Sequence, residues 1–101
     1  MKCGSEEERR VLRWVVAKAK EVAHAKRVIL FGSRARSDAE DRSDFDIAVI
    51  TDTPEKLAEL RMILEENPLT LLAFDIVDLS NAHPPFRDRI LAEGIDITEI
   101  E

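Results

Sequence analysis

Apolar residues along the chain change period several times, and each change marks an element. Leu12, Val15, Val16, Ala19 and Ala23 recur at helical spacing with Arg, Lys and Glu between them. That stripe predicts a helix from Ser5 to Ala25, with Ser5 as its hydroxyl cap, Glu6, Glu7 and Glu8 in its first turn, and Trp14 at the edge of its apolar face. The run "RVILF" (Arg27 to Phe31) is continuously apolar and ends at Gly32, as a strand covered on both faces does. "DFDIAVIT" (Asp44 to Thr51) is rich in β-formers and alternates in part, which predicts a second strand.

Thr53-Pro54-Glu55 opens a further helix, with Pro at its first position, Leu57, Leu60, Ile63 and Leu64 facing inward and Asn67-Pro68 as its stop. "LTLLAFDIVDL" (Leu69 to Leu79) predicts a third strand. Pro84 and Pro85 begin a last helix that sets Phe86, Ile90 and Leu91 on its inner face and ends at Gly94. "IDITEI" (Ile95 to Ile100) alternates like a half-exposed final strand. The sum is an α/β (α+β) fold: a mixed sheet of about four strands with helices packed against it.

Composition narrows the classes. The 101 residues are 45% hydrophobic and 36% charged, which reads as a single globular domain over 1–101. A net charge of −6 argues against a surface that tracks DNA or RNA phosphates, yet leaves room for one nucleotide held through a metal. A single cysteine, Cys3, excludes an internal disulfide and a cysteine-rich metal site. Without a signal-like start or a membrane-length apolar run, a soluble cytoplasmic protein is expected. His24 reads as a solvated helix-end residue and His83 as loop structure.

The candidate chemistry lies in "FGSRARSDAEDRSDFDIAVI" (Phe31 to Ile50). Asp44 and Asp46 share one face of a strand, ~6.5–7 Å apart, and ionised carboxylates at that spacing repel unless a cation lies between them. Mg²⁺ accepts a few carboxylate oxygens and fills its remaining sites with water and phosphate. A third acid completes a two-metal arrangement for in-line displacement at phosphorus. Asp75 interrupts the apolar run "LLAFDIV", where an unpartnered charge is costly, and is preferred to Asp78, which points to the opposite face and sits where it can cap the next turn. Gly32-Ser33 ends the preceding strand, and a short helix starting there offers backbone N–H groups and a hydroxyl to a phosphate. Arg34, Arg36 and Arg42 follow in or near the same loop and can neutralise the outer phosphates of a triphosphate.

Gly32-Ser33, ten intervening residues, then Asp44-Phe45-Asp46 resembles the G-S-x(10)-D-x-D signature of the polymerase-beta-type nucleotidyltransferase superfamily. The size and the ending "FDIVDL…ILAEGIDI" resemble its minimal nucleotidyltransferase (MNT) branch, often the antitoxin beside a HEPN-domain toxin; the likeness covers roughly Val28 to Ile97. The resemblance implies a nucleotidyltransferase fold, two Mg²⁺ ions, ATP as substrate, and transfer of a nucleoside monophosphate to a hydroxyl with release of pyrophosphate. It implies that Gly32 and Ser33 bind the triphosphate, that Asp44 and Asp46 hold both metals, and that Asp75 completes the site and helps deprotonate the acceptor. The acceptor it implies is a tyrosine of a HEPN toxin, in a possible hetero-oligomer. This chain has no tyrosine of its own to modify. Two other readings stand beside this one. One is a non-catalytic antitoxin that neutralises its partner by binding; the other is the catalytic subunit of a two-chain nucleotidyltransferase with another acceptor.

Overall fold

The computed structural model describes residues 6–35, 44–66 and 73–100. Helix α1 (Glu6–Ala23) leads into strand β1 (Arg27–Phe31), a 3₁₀ turn at Gly32–Arg34 and strand β2 (Phe45–Ile50). A second 3₁₀ turn (Pro54–Lys56) precedes helix α2 (Leu57–Glu65), and strand β3 (Phe74–Asp78) follows. A third 3₁₀ turn (Leu79–Asn81), helix α3 (Pro84–Glu93) and strand β4 (Ile95–Asp96) close the order. The sheet runs β3-β2-β1-β4; β1 is antiparallel to both β2 and β4, and β2 is parallel to β3.

Both faces of the sheet are covered, which is why β1 reads as an unbroken apolar run. On one face Val28, Leu30, Phe45, Ile47, Val49 and Ile76 join the inward residues of α1 and α2 in the main core. Here the α1 stripe of Leu12, Val15, Val16, Ala19 and Ala23 is buried as its spacing requires, and Trp14 packs at the margin. On the other face Ile29 and Ala48 form a smaller cluster with Leu79 and Ile90. Strand alternation therefore sends Phe45, Ile47 and Val49 toward α1 and α2, and sends Asp46 and Ala48 toward the side partly covered by α3.

Several boundaries differ from the sequence reading. Ser5, Asn67, Pro68 and residues 69–72 lie outside the described residues. Helix α1 stops at Ala23 because His24 turns left-handed (φ 52°). Thr53 does not cap α2: its hydroxyl donates to the Ala23 carbonyl at 2.9 Å, as does the buried Thr51 hydroxyl, so two threonines seal the end of α1 instead. Gly94 ends α3 in an extended conformation (φ −76°, ψ 164°), not a left-handed one. A Cβ there would meet Ile29 Cγ2 at 2.5 Å, so close approach to β1 selects the glycine.

On α3 only Ile90 is buried; Phe86 and Leu91 remain 43% and 44% exposed, so the helix buries one of these three apolar positions. The last strand is two residues long, not six, because its backbone turns at Thr98–Glu99. Asp96 accepts from the Thr98 N–H at 2.9 Å, from the Thr98 hydroxyl and from Arg27 Nε at 3.1 Å. Partial burial works to raise the Asp96 pKa, but those Thr98 hydrogen bonds and Arg27 outweigh it and hold the carboxyl below its ordinary 3.8. At the opposite edge of the sheet, Arg61 of α2 donates through Nη2 to the Ile76 carbonyl of β3 at 2.9 Å.

Candidate active site

Strand pairing brings the end of β1 and the beginnings of β2 and β3 to one end of the sheet. Phe31 pairs with Asp46 across the antiparallel ladder, and Asp46 pairs with Asp75 across the parallel one. Adjacent strands lie ~4.8 Å apart and paired residues share a face, so Asp46 and Asp75 form a two-carboxylate row on the side away from α1. Asp46 is half-buried and Asp75 exposed. The expected penalty for a charge inside the β3 run therefore does not arise: the apolar neighbours Phe74 and Ile76 point into the core while Asp75 points out.

Gly32 lies against this row. Its φ of 76° belongs to the left-handed region, and a Cβ built on it would sit 2.3 Å from Asp46 Oδ2. Either fact alone selects glycine; together they show that the carboxylate reaches over the Gly32 backbone. The segment after it is a 3₁₀ turn over Gly32–Arg34, with Ala35 N–H donating to the Gly32 carbonyl at 3.1 Å. What it offers an anion is local backbone N–H groups.

Asp44 sits exposed one residue before β2, where its Oδ1 accepts the Ala73 N–H at 3.3 Å while Phe45 N–H bonds the Ala73 carbonyl at 3.0 Å. Asp44 thus ties the starts of β2 and β3 together. Among the described residues no three His, Cys, Asp or Glu side chains close around one point as a formed metal cluster. Three anions repel at such spacing, and convergence is favourable only with positive charge between them. The donor set, hard carboxylate oxygens with a side-chain-free corner beside them, fits Mg²⁺.

Arg34 departs from its expected place. Its guanidinium pairs with Glu8 of α1 and lies 4.2 Å from the centroid of the Phe45 ring, with the side chain only 8% exposed. Phe45 stacks on Phe74 (5.2 Å between centroids), which in turn meets Trp14 at 6.5 Å. A cation–aromatic contact of this kind is worth ~0.5–2 kcal/mol, and it fixes the Gly32–Arg34 turn against the core behind the aspartates. Arg34 is therefore a brace and not a phosphate ligand; the signal was hidden because it depends on Glu8, far away in sequence. Arg36 and Arg42 lie outside the described residues, as does the Ser33 side chain. Asp78 faces away from Asp46 as expected and holds its turn through Asn81 Nδ2 to Asp78 Oδ2 at 2.6 Å, not through a backbone cap.

The family model described as "Polymerase beta, Nucleotidyltransferase" matches residues 15–101. The chain belongs to the polymerase-beta nucleotidyltransferase family. It is similar to "Putative protein adenylyltransferase MJ0435" of Methanocaldococcus jannaschii, 34% identical over 73 residues, which span 71% of this chain and 78% of that one. A solved structure described as a "putative minimal nucleotidyltransferase" is 34% identical, covers 91% of this chain and 98% of its own, and superposes with a TM-score of 0.68. A toxin–antitoxin structure with AMP-PNP shares the fold (TM-score 0.70, 21% identity, covering 92% of this chain and 73% of that one). The MntA-HpeT toxin–antitoxin structure does so too (TM-score 0.67, 19% identity, covering 84% and 70%). The protein is thus a minimal nucleotidyltransferase, with the fold expected of one, and among its described residues no helix is long and apolar enough to cross a membrane.

Proposed function

We propose that this nucleotidyltransferase moves AMP from ATP to a hydroxyl of a partner protein, a tyrosine of a HEPN-domain toxin, and so acts as an antitoxin in a complex with it. The observation that carries the chemistry is the register of Asp46 opposite Asp75, with Gly32 pressed against Asp46. The relative named a protein adenylyltransferase supports a protein acceptor, and the toxin–antitoxin structures of the same fold support the kind of partner.

In this reading Gly32 and Ser33 hold the outer phosphates of ATP, with Arg36 and Arg42 as candidates to neutralise them. Asp44, Asp46 and Asp75 would hold two Mg²⁺ ions, which when bound neutralise the phosphate oxygens and polarise the α-phosphorus. Asp75, at the exposed end of the row, accepts the acceptor hydroxyl's proton on a carboxylate oxygen. The hydroxyl oxygen bonds to the α-phosphorus, the bond from that phosphorus to the bridging oxygen breaks, and pyrophosphate leaves. Asp44 accepts the Ala73 N–H on Oδ1 alone, so its Oδ2 would be the oxygen offered to a metal.

The test is incubation with α-phosphate-labelled ATP, Mg²⁺ and the purified partner. Label should appear on a partner tyrosine with stoichiometric pyrophosphate, and Asp46→Asn should slow transfer by at least ~10²-fold, the scale for removing one electrostatic stabiliser from a reacting centre. Neutralisation of the toxin by Asp46→Asn at full strength, without transfer, would overturn the enzymatic account and leave a binding antitoxin. Label on RNA or on a small molecule alone would point to the two-chain alternative.

A further inference from the structure

Beside the aspartate row, an open cleft of ≈ 170 Å³ lies between the end of β1 and helix α3, lined by Phe31, Gly32, Phe86, Arg89, Ile90 and Glu93. The α3 residues follow i, i+3, i+4, i+7 spacing, so one stripe of that helix faces the cleft. Phe86 meets Phe31 edge to face at 6.0 Å. Ile90 forms a buried floor, and Arg89 Nε lies 3.6 Å from Glu93 Oε2 at the rim. We propose that this cleft seats the base of the nucleoside triphosphate, with Phe86 as its stacking platform. The inference rests on the triphosphate site described above and adds where the uncharged half of the substrate lies.

Two observations favour a base over another occupant. Gly32 both lines the cleft and touches Asp46, so a ligand in the cleft is continuous with one at the carboxylates. An aromatic face with a guanidinium beside it is the surface on which bases stack without demanding particular edge contacts. The pocket also gives Phe86 a use that its exposure otherwise lacks.

Calorimetric titration of the full chain with MgATP and, separately, with magnesium tripolyphosphate tests this. Phe86→Ala should weaken MgATP binding about tenfold, the typical loss for one base–aromatic stack, and leave tripolyphosphate unchanged. Phe86→Trp should restore MgATP affinity and show quenching of its fluorescence. Equal MgATP affinity in Phe86→Ala and the parent, or equal loss of both probes with an unaltered circular dichroism spectrum, would overturn the proposal. Parent protein that binds both probes while Phe86→Ala is unaffected removes only the base seat. Parent protein that binds neither removes the triphosphate site and this proposal with it.

Discussion

At Gly32 one backbone position carries three demands: a left-handed φ, contact with the Asp46 carboxylate and a place in the cleft wall. Gly32→Ala meets all of them badly. The methyl would sit 2.3 Å from Asp46 Oδ2, and the left-handed backbone costs a non-glycine residue ~1–2 kcal/mol. Thermal unfolding of Gly32→Ala should therefore show a loss of at least ~1 kcal/mol, and the MgATP titration should show binding weakened as Asp46 is displaced. The Gly-Ser and Asp-x-Asp spacing was legible in the sequence because the motif is local. Alternation alone also set Asp75 and Asp78 on opposite faces of their strand. The opposition of Asp46 and Asp75 was not legible: a parallel pair joins distant stretches, and its register is set by how Phe45, Ile47 and Ile76 pack on α1 and α2.

Elements hold together here by a few specific clasps. The short β4 depends on Asp96, which binds Thr98 and Arg27 and so carries a lowered pKa. A carboxyl with a folded pKa below its unfolded value adds stability above the unfolded value and loses it as pH falls through the folded one. Asp96→Asn should therefore be less stable than the parent near neutral pH, and the gap should narrow as pH drops below 3.8, as urea titrations at several pH values would show. Both side chains of the Arg27–Asp96 pair are nearly half exposed, so the effect is small and shrinks with salt. Helix ends show where sequence signals mislead. Thr53 has the chemistry of a cap but finds the Ala23 carbonyl first, and Gly94 has the chemistry of a left-handed stop but is chosen for its contact with Ile29.

For the molecule as a whole, a sheet covered on one side by α1 and α2 and on the other only in part by α3 divides labour. Stability resides mainly on the first face: Leu12, wholly buried there, should cost ~2–5 kcal/mol on Leu12→Ala, measured by denaturant unfolding, and MgATP binding should survive in the folded fraction. The second face leaves its end open, and the carboxylate row, Gly32 and the cleft all lie there. The helix stripes and the order of elements along the chain followed from apolar periodicity because the core obeys it. Phe86 and Leu91 on α3 broke the rule because that helix covers too little of the sheet to bury more than Ile90.

The guanidinium that Arg61 lays on the Ile76 carbonyl has a bearing on assembly. A visiting peptide that tried to lengthen the sheet past β3 would find that acceptor engaged already and a bulky cation in its path. On the other flank, two-residue β4 gives such a visitor scarcely any ladder to grip. Among the described residues, both flanks of the sheet therefore leave a visiting strand little free main chain to pair with.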